Sequence, residues 1–256
     1  MAKKFLLIVE GESEEPAFFD QLFKKCNKEE EFAVFTYGTN IHVMAHILNT
    51  EYPDFDTDEI DLKQILAFRE KDKEKKQILT DTYTDVYLIF DFDPQHNKPY
   101  FGMVKRMLKY FDNPTDQGKL YINYPMMQSY KHFARLPDNS FAERFFEYTK
   151  SSSTYKELVD KESSYKDVRK YDCNVFYSLT VHHLRKLNYM LTERFVDLTK
   201  DEYLNIDFIR VYDCEVDLFQ TQRLVAVLNT CIFVLCDFAP TKFFHFISKR
   251  ARELCI

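Results

Sequence analysis

Apolar positions in the N-terminal half of the chain fall into short unbroken runs, and two of those runs end in acids. Phe5 to Val9 (FLLIV) closes on Glu10-Gly11, and Val86 to Phe90 (VYLIF) closes on Asp91-Phe92-Asp93. Continuous apolar runs of this length, rich in β-branched and aromatic residues, predict strands buried on both faces, the kind found in parallel sheets. Further strands are expected at 32–37 and 120–124. Between them the apolar period changes to that of a helix. A helix over 13–26 is expected, with Ser13 as its cap, Pro16 in its first turn and Phe18, Phe19, Leu22 and Phe23 on its buried face. Others are expected at 41–48, 101–111 and 126–136. The stretch 51–61 is acidic and irregular, and 62–79 reads as one helix with a very charged centre, REKDKEKK. The β-α-β alternation predicts a parallel α/β domain over 1–136, with an insertion at about 51–80. After Pro137 the pattern is mainly helical, at 141–150, 155–161, 173–195, 216–236 and 243–254. The expected fold class is thus an α/β sheet domain followed by an α-helical region over 137–256.

Parallel sheets place their chemistry beyond the carboxyl ends of the strands. If the two acid-tipped runs are neighbours, Glu10, Asp91 and Asp93 share one sheet edge. Side chains alternate along a strand, so Asp91 and Asp93 face one way if the strand runs on through Asp93. Three like charges together are costly unless a cation neutralises them. Hard oxygen donors with no thiol or imidazole among them suit Mg²⁺ or Mn²⁺. Glu14, one short turn from Glu10, is a candidate for a second ion, whereas Glu15 is read as complementing the helix dipole. The structural alternative, that acids at strand ends cap the helices that follow, applies to any one of the three taken alone.

The net charge is −6 for 256 residues, which argues against a broad basic surface and leaves room for a local basic groove. The REKDKEKK run is read as a solvated helix face or a protruding arm. With only 4 glycines in the chain, Gly11 directly after a strand is not expected to be idle. Six scattered cysteines contain no Cys-x-x-Cys pair, so zinc is not expected and reduced thiols in a cytoplasmic protein are. The N-terminal apolar run is too short for a signal peptide and meets an acid at once. Leu224 to Phe238 is shorter than a membrane span and is read as a buried helix, so no membrane association is expected. The Phe- and Tyr-rich helices of the second half suit a homodimer or partner interface and suit a core equally well.

LLIVEGESEE followed much later by LIFDFD resembles the Toprim domain, the Mg²⁺-binding α/β module of topoisomerases, primases and OLD-family nucleases. The Glu-Gly mark corresponds to Glu10-Gly11 and the Asp-x-Asp mark to Asp91-Phe92-Asp93. The second acid, Glu14, makes the pattern more similar to OLD and RloB-like nucleases. A Toprim module followed by helices resembles the small effectors, of AbiL and PARIS type, of anti-phage defence systems. The resemblance implies metal-dependent cleavage of DNA or RNA (a tRNA among them) beside an ABC-type ATPase. It implies that Asp91 and Asp93 hold Mg²⁺ or Mn²⁺, that Glu10 ligates a metal or acts as general base, and that Glu14 supports a second ion. Lys131 is then the candidate for neutralising transition-state charge, with His96, Lys98 and His132 near the strand ends. Where related nucleases carry an acid after the next strand, this chain has Gln128 in YPMMQS. Two alternatives stand beside the nuclease: a catalytically silent Toprim-like binding module, which Gln128 favours, and a phosphotransfer enzyme using hydrophobic-DxD.

Overall fold

The computed structural model describes residues 4–27, 31–57, 60–96, 99–148 and 154–254. The chain divides into two compact units, Met1–Tyr121 and Ile122–Ile256. The division falls inside a strand, ahead of the boundary at 136 that the change of pattern suggests.

The first unit is an α/β layer structure. Its elements are β1 (Lys4–Val9), α1 (Glu14–Cys26), β2 (Glu31–Thr36), α2 (Ile41–Glu51), α3 (Leu62–Arg69), α4 (Lys73–Thr80), β3 (Asp85–Asp91), α5 (Phe101–Tyr110), β4 (Asp112–Asn113) and β5 (Gly118–Asn123). The strands form a mostly parallel five-stranded sheet in the order β2-β1-β3-β5-β4. β1 lies between β2 and β3 and is parallel to both. Phe5 to Val9 are fully buried, and so are Tyr87 to Phe90, which is why both runs are unbroken rather than alternating. Val9 is level with Thr36 on one side and Ile89 on the other, so Glu10 and Asp91 emerge at the same edge.

Local chemistry sets the helices. α1 presents Phe18, Phe19, Leu22 and Phe23 inward as expected, but Ser13 makes no side-chain capping bond. The stretch 62–79 is two helices, not one. Asp72 accepts from the backbone N–H of Glu74 (2.8 Å) and Lys75 (3.0 Å), and that cap restarts the chain as α4.

The second unit departs further from the expected helices. It contains β6 (Phe145–Glu147), α6 (Tyr155–Glu162), α7 (Cys173–Thr192), α8 (Lys200–Leu204), α9 (Phe208–Gln222), β7 (Leu224–Ala226), α10 (Val234–Phe238) and α11 (Pro240–Leu254). The expected helix at 126–136 is only a 3₁₀ turn over Met127–Lys131. The one at 141–150 is replaced by a 3₁₀ turn over Asn139–Glu143 and by β6, which pairs antiparallel with β7. The expected helix at 216–236 is broken after Gln222, because Arg223 takes a left-handed φ of 59°. α7 packs against α9 and α11. No helix among the described residues is long and apolar enough to cross a membrane.

Candidate active site at the carboxyl edge of the sheet

Glu10 leaves β1 between its two neighbours. Its backbone N–H donates to the Ile89 carbonyl (3.1 Å), and its own carbonyl accepts from the Gly38 N–H (3.1 Å). The side chain turns toward β3, where its Oε2 accepts from the Asp91 backbone N–H at 3.1 Å. Burial drives the Glu10 pKa upward. The Asp91 hydrogen bond opposes this, and the charges of Asp93 and Glu15 add to it, leaving the carboxyl pushed up to about 8. Asp93, on the turn after β3, and Glu15, in α1, are the carboxyl groups whose charges add to this shift.

The chain turns sharply after β3. Phe92 is buried, and Asp93 adopts a left-handed φ of 41°. The strand stops at Asp91, so the condition that it runs on through Asp93 is not met. Asp93 is aimed by the turn instead. Its Oδ2 accepts from the Asn40 amide (2.9 Å), and its carbonyl accepts from the His96 N–H (3.2 Å) and faces His42 Nε2 (3.1 Å). Non-glycine residues rarely take positive φ, and Asp is among the few that tolerate it.

Glu10 and Asp93 are thus brought into electrostatic contact, and Asp91 contributes its N–H to the same place. The acid of α1 that presses on Glu10 is Glu15, not Glu14. Glu15 is buried, and its Oε1 accepts from the Gly11 N–H at 3.0 Å. A Cβ on residue 11 would lie 2.6 Å from Glu15 Oε2, so the Glu-Gly pair serves this close approach. Glu14 is half-buried at the start of α1 and is not among the groups that shift Glu10. Glu15 was legible as an inward position, since 15, 18, 19 and 22 follow the i, i+3, i+4, i+7 spacing of the buried face.

Two further residues of the site carried no sequence signal that pointed to chemistry. Asn40 and His42 come from the start of α2, next to the carboxyl end of β2. His42 is buried, and burial holds its pKa below the ordinary value, which favours the neutral imidazole. His96 lies on the Asp93 turn with its ring 5.3 Å from that of His42. Lys98 lies outside the described residues.

The remaining expectations fall in the second unit. Lys131 is buried there, its ammonium 5.7 Å from the Tyr130 ring centre and its carbonyl accepting from the Ser163 hydroxyl. His132 is held between Tyr155 Oη (3.1 Å) and Glu162 Oε2 (3.0 Å), the partners of a structural histidine. Gln128 is buried in the same unit.

The donor chemistry at the edge fits a hard divalent cation. Glu10, Asp93 and Glu15 are oxygen donors; desolvation raises Glu10 first and the charges of Asp93 and Glu15 add to it, and a cation is a partner that would offset both. Among the described residues no three His, Cys, Asp or Glu side chains already converge as a cage. Comparison with protein-family models, curated proteins and solved structures finds no match.

Proposed function

We propose that the chain is a Toprim-like nuclease that hydrolyses phosphodiester bonds of DNA or RNA with Mg²⁺ or Mn²⁺. The observation that carries this reading is Glu10, half-buried at the carboxyl edge of a parallel sheet, its pKa pushed up to about 8 by desolvation, with the charges of Asp93 and Glu15 adding to the shift. Asp91 and Asp93 are the residues that would hold the ion, with Glu10 either a further ligand or the general base. When bound, the ion would supply counter-charge to the carboxylates and polarise the phosphate.

As general base, Glu10 would take the proton from the attacking water. A carboxyl poised near neutral pH is suited to that role, because general-base efficiency is greatest when the pKa lies near the working pH. The water oxygen bonds to phosphorus, the bond to the leaving oxygen breaks, and that oxygen takes a proton from solvent. Glu15 braces the Glu10-Gly11 turn through the Gly11 N–H. The resemblance adds a role as an effector of anti-phage defence, working beside an ABC-type ATPase.

The test is cleavage of plasmid DNA and total RNA with Mg²⁺ or Mn²⁺, comparing the wild type with Glu10→Ala and Asp93→Ala, alone and with the candidate ATPase added. Cleavage that needs the metal and both acids supports the reading. A wild type that binds neither metal ion and cuts nothing under any of these conditions leaves the silent binding module as the better account.

A further inference from the structure

We infer that the first turn of α2 is a clamp that positions Asp93, with Asn40 holding its carboxylate and His42 holding its backbone. The inference rests on the nuclease reading, because it concerns how one acid of that site is aimed.

The atom assignments follow from chemistry. Asn40 caps α2, its Oδ1 accepting from the Val43 N–H at 3.1 Å. An amide whose oxygen faces an N–H must present its NH₂ elsewhere, and here that group meets Asp93 Oδ2 at 2.9 Å. One side chain therefore starts a helix and grips a carboxylate. His42 is fixed in the same way. Its Nδ1 faces the backbone N–H of Tyr100 at 3.2 Å, so Nδ1 must carry the lone pair. Nε2 then bears the hydrogen and donates to the Asp93 carbonyl at 3.1 Å.

The clamp answers a problem the fold creates. β3 ends at Asp91, Phe92 is buried, and Asp93 is left-handed at a φ of 41°. Asp tolerates that conformation better than most non-glycine residues, but strand alternation no longer fixes where its carboxylate points. The Asp93 carbonyl has two donors, His42 Nε2 and the His96 N–H, and the carboxylate has Asn40. The His42 ring is 1% exposed and stands edge-on to Phe101, 5.9 Å between centres, so the imidazole is itself held. Tyr100 precedes α5, and His42 thus joins both ends of the segment between β3 and α5. The direction in which Asp93 faces Glu10 is set from α2 rather than from its own strand.

The test is Asn40→Ser, with His42→Leu and His42→Gln beside it. Serine caps a helix about as well as asparagine, so Asn40→Ser is expected to melt within about 3 °C of the wild type. It lacks the amide donor to Asp93. Loss of a hydrogen bond to a charged group is expected to slow cutting of plasmid DNA or total RNA about tenfold or more at saturating Mn²⁺. Mn²⁺ alone, titrated calorimetrically, is expected to bind several-fold more weakly. His42→Gln, whose amide keeps a donor, is expected to retain most of the activity that His42→Leu loses. Nitrogen-15 NMR of the folded wild type is expected to show His42 protonated at Nε2.

Wild-type Mn²⁺ affinity and cutting rate in Asn40→Ser, or a His42 protonated at Nδ1, would overturn the clamp and leave the nuclease reading standing. A wild type that neither binds Mn²⁺ nor cuts would overturn both.

Discussion

If Glu10 holds the proposed ion, its raised carboxyl makes metal binding and proton release one event. Burial and the neighbouring acids push Glu10 up to about 8, so at pH 7 about nine-tenths of the molecules carry its proton. A cation held by Glu10 must displace that proton, because metal ligands bind deprotonated. Binding of Mg²⁺ is therefore expected to release about 0.9 proton at pH 7 and about 0.1 at pH 9. The apparent affinity is expected to rise about tenfold between these two pH values, which corresponds to about 1.4 kcal/mol. Isothermal titration calorimetry, in pairs of buffers with different ionisation enthalpies, counts the protons directly. Glu10→Gln is expected to bind Mg²⁺ more weakly and to release none. The same shift has a consequence for the metal-free fold. A carboxyl raised in the folded state contributes stability below its unfolded value of 4.5, and that contribution is lost as the pH rises through about 8. Mg²⁺ is expected to restore it at pH 8. Mg²⁺ binding at pH 7 with an enthalpy independent of buffer would refute the reasoning, because Glu10 would then be either ionised already or uninvolved.

Three other outcomes follow from the same geometry. Gly11→Ala puts a Cβ against the Glu15 carboxylate and breaks the bond from the residue 11 N–H. It is expected to destabilise the first unit by about 1–3 kcal/mol, and denaturant melts of Gly11→Ala, Glu15→Ala and the double variant should be non-additive. In the second unit Glu215 is fully buried, accepts from the Ala226 N–H at 2.9 Å, and is pushed up to about 8 by that burial. Its contribution is likewise present below pH 4.5 and lost through about pH 8. Glu215→Gln is thus expected to match the wild type near pH 5 and exceed it by about 2 kcal/mol or more at pH 8, and equal pH slopes in denaturant titrations would contradict this. Asp72→Ala removes the cap that separates α4 from α3, and loss of about 1 kcal/mol is expected by the same method.

The centre of the sheet was legible because β1 and β3 are buried on both faces and so appear as unbroken apolar runs. The helix ends were less so, for a reason visible in the composition. The chain has only 4 glycines, and glycine is the usual mark of a left-handed helix end. Here α7 and α9 end on Glu193 and Arg223, with φ of 60° and 59°, residues that read as ordinary helix continuation. The apolar run after Arg223 then looks like one buried helix. Periodicity does not separate a buried helix from a buried strand followed by a loop. The polar pair inside the run does. Thr230 donates to the Ile122 carbonyl (2.8 Å), and Asn229 accepts from the Ile232 N–H (3.1 Å), the side-chain-to-backbone bonds of an irregular segment.

The acids were legible as a set but not in their geometry. That Glu10 and Asp91 share an edge follows from two neighbouring parallel strands of matched burial. The aim of Asp93 does not follow, because the alternation that would set it ends with the strand. Its direction comes instead from Asn40 and His42, which lie 53 and 51 residues earlier. No local pattern links these positions. Asn40 reads as a helix cap, which it is, and only the fold reveals that the other half of its amide is spent on a carboxylate. A residue that satisfies one local rule conceals any second role, and such residues are where a sequence read element by element loses the site.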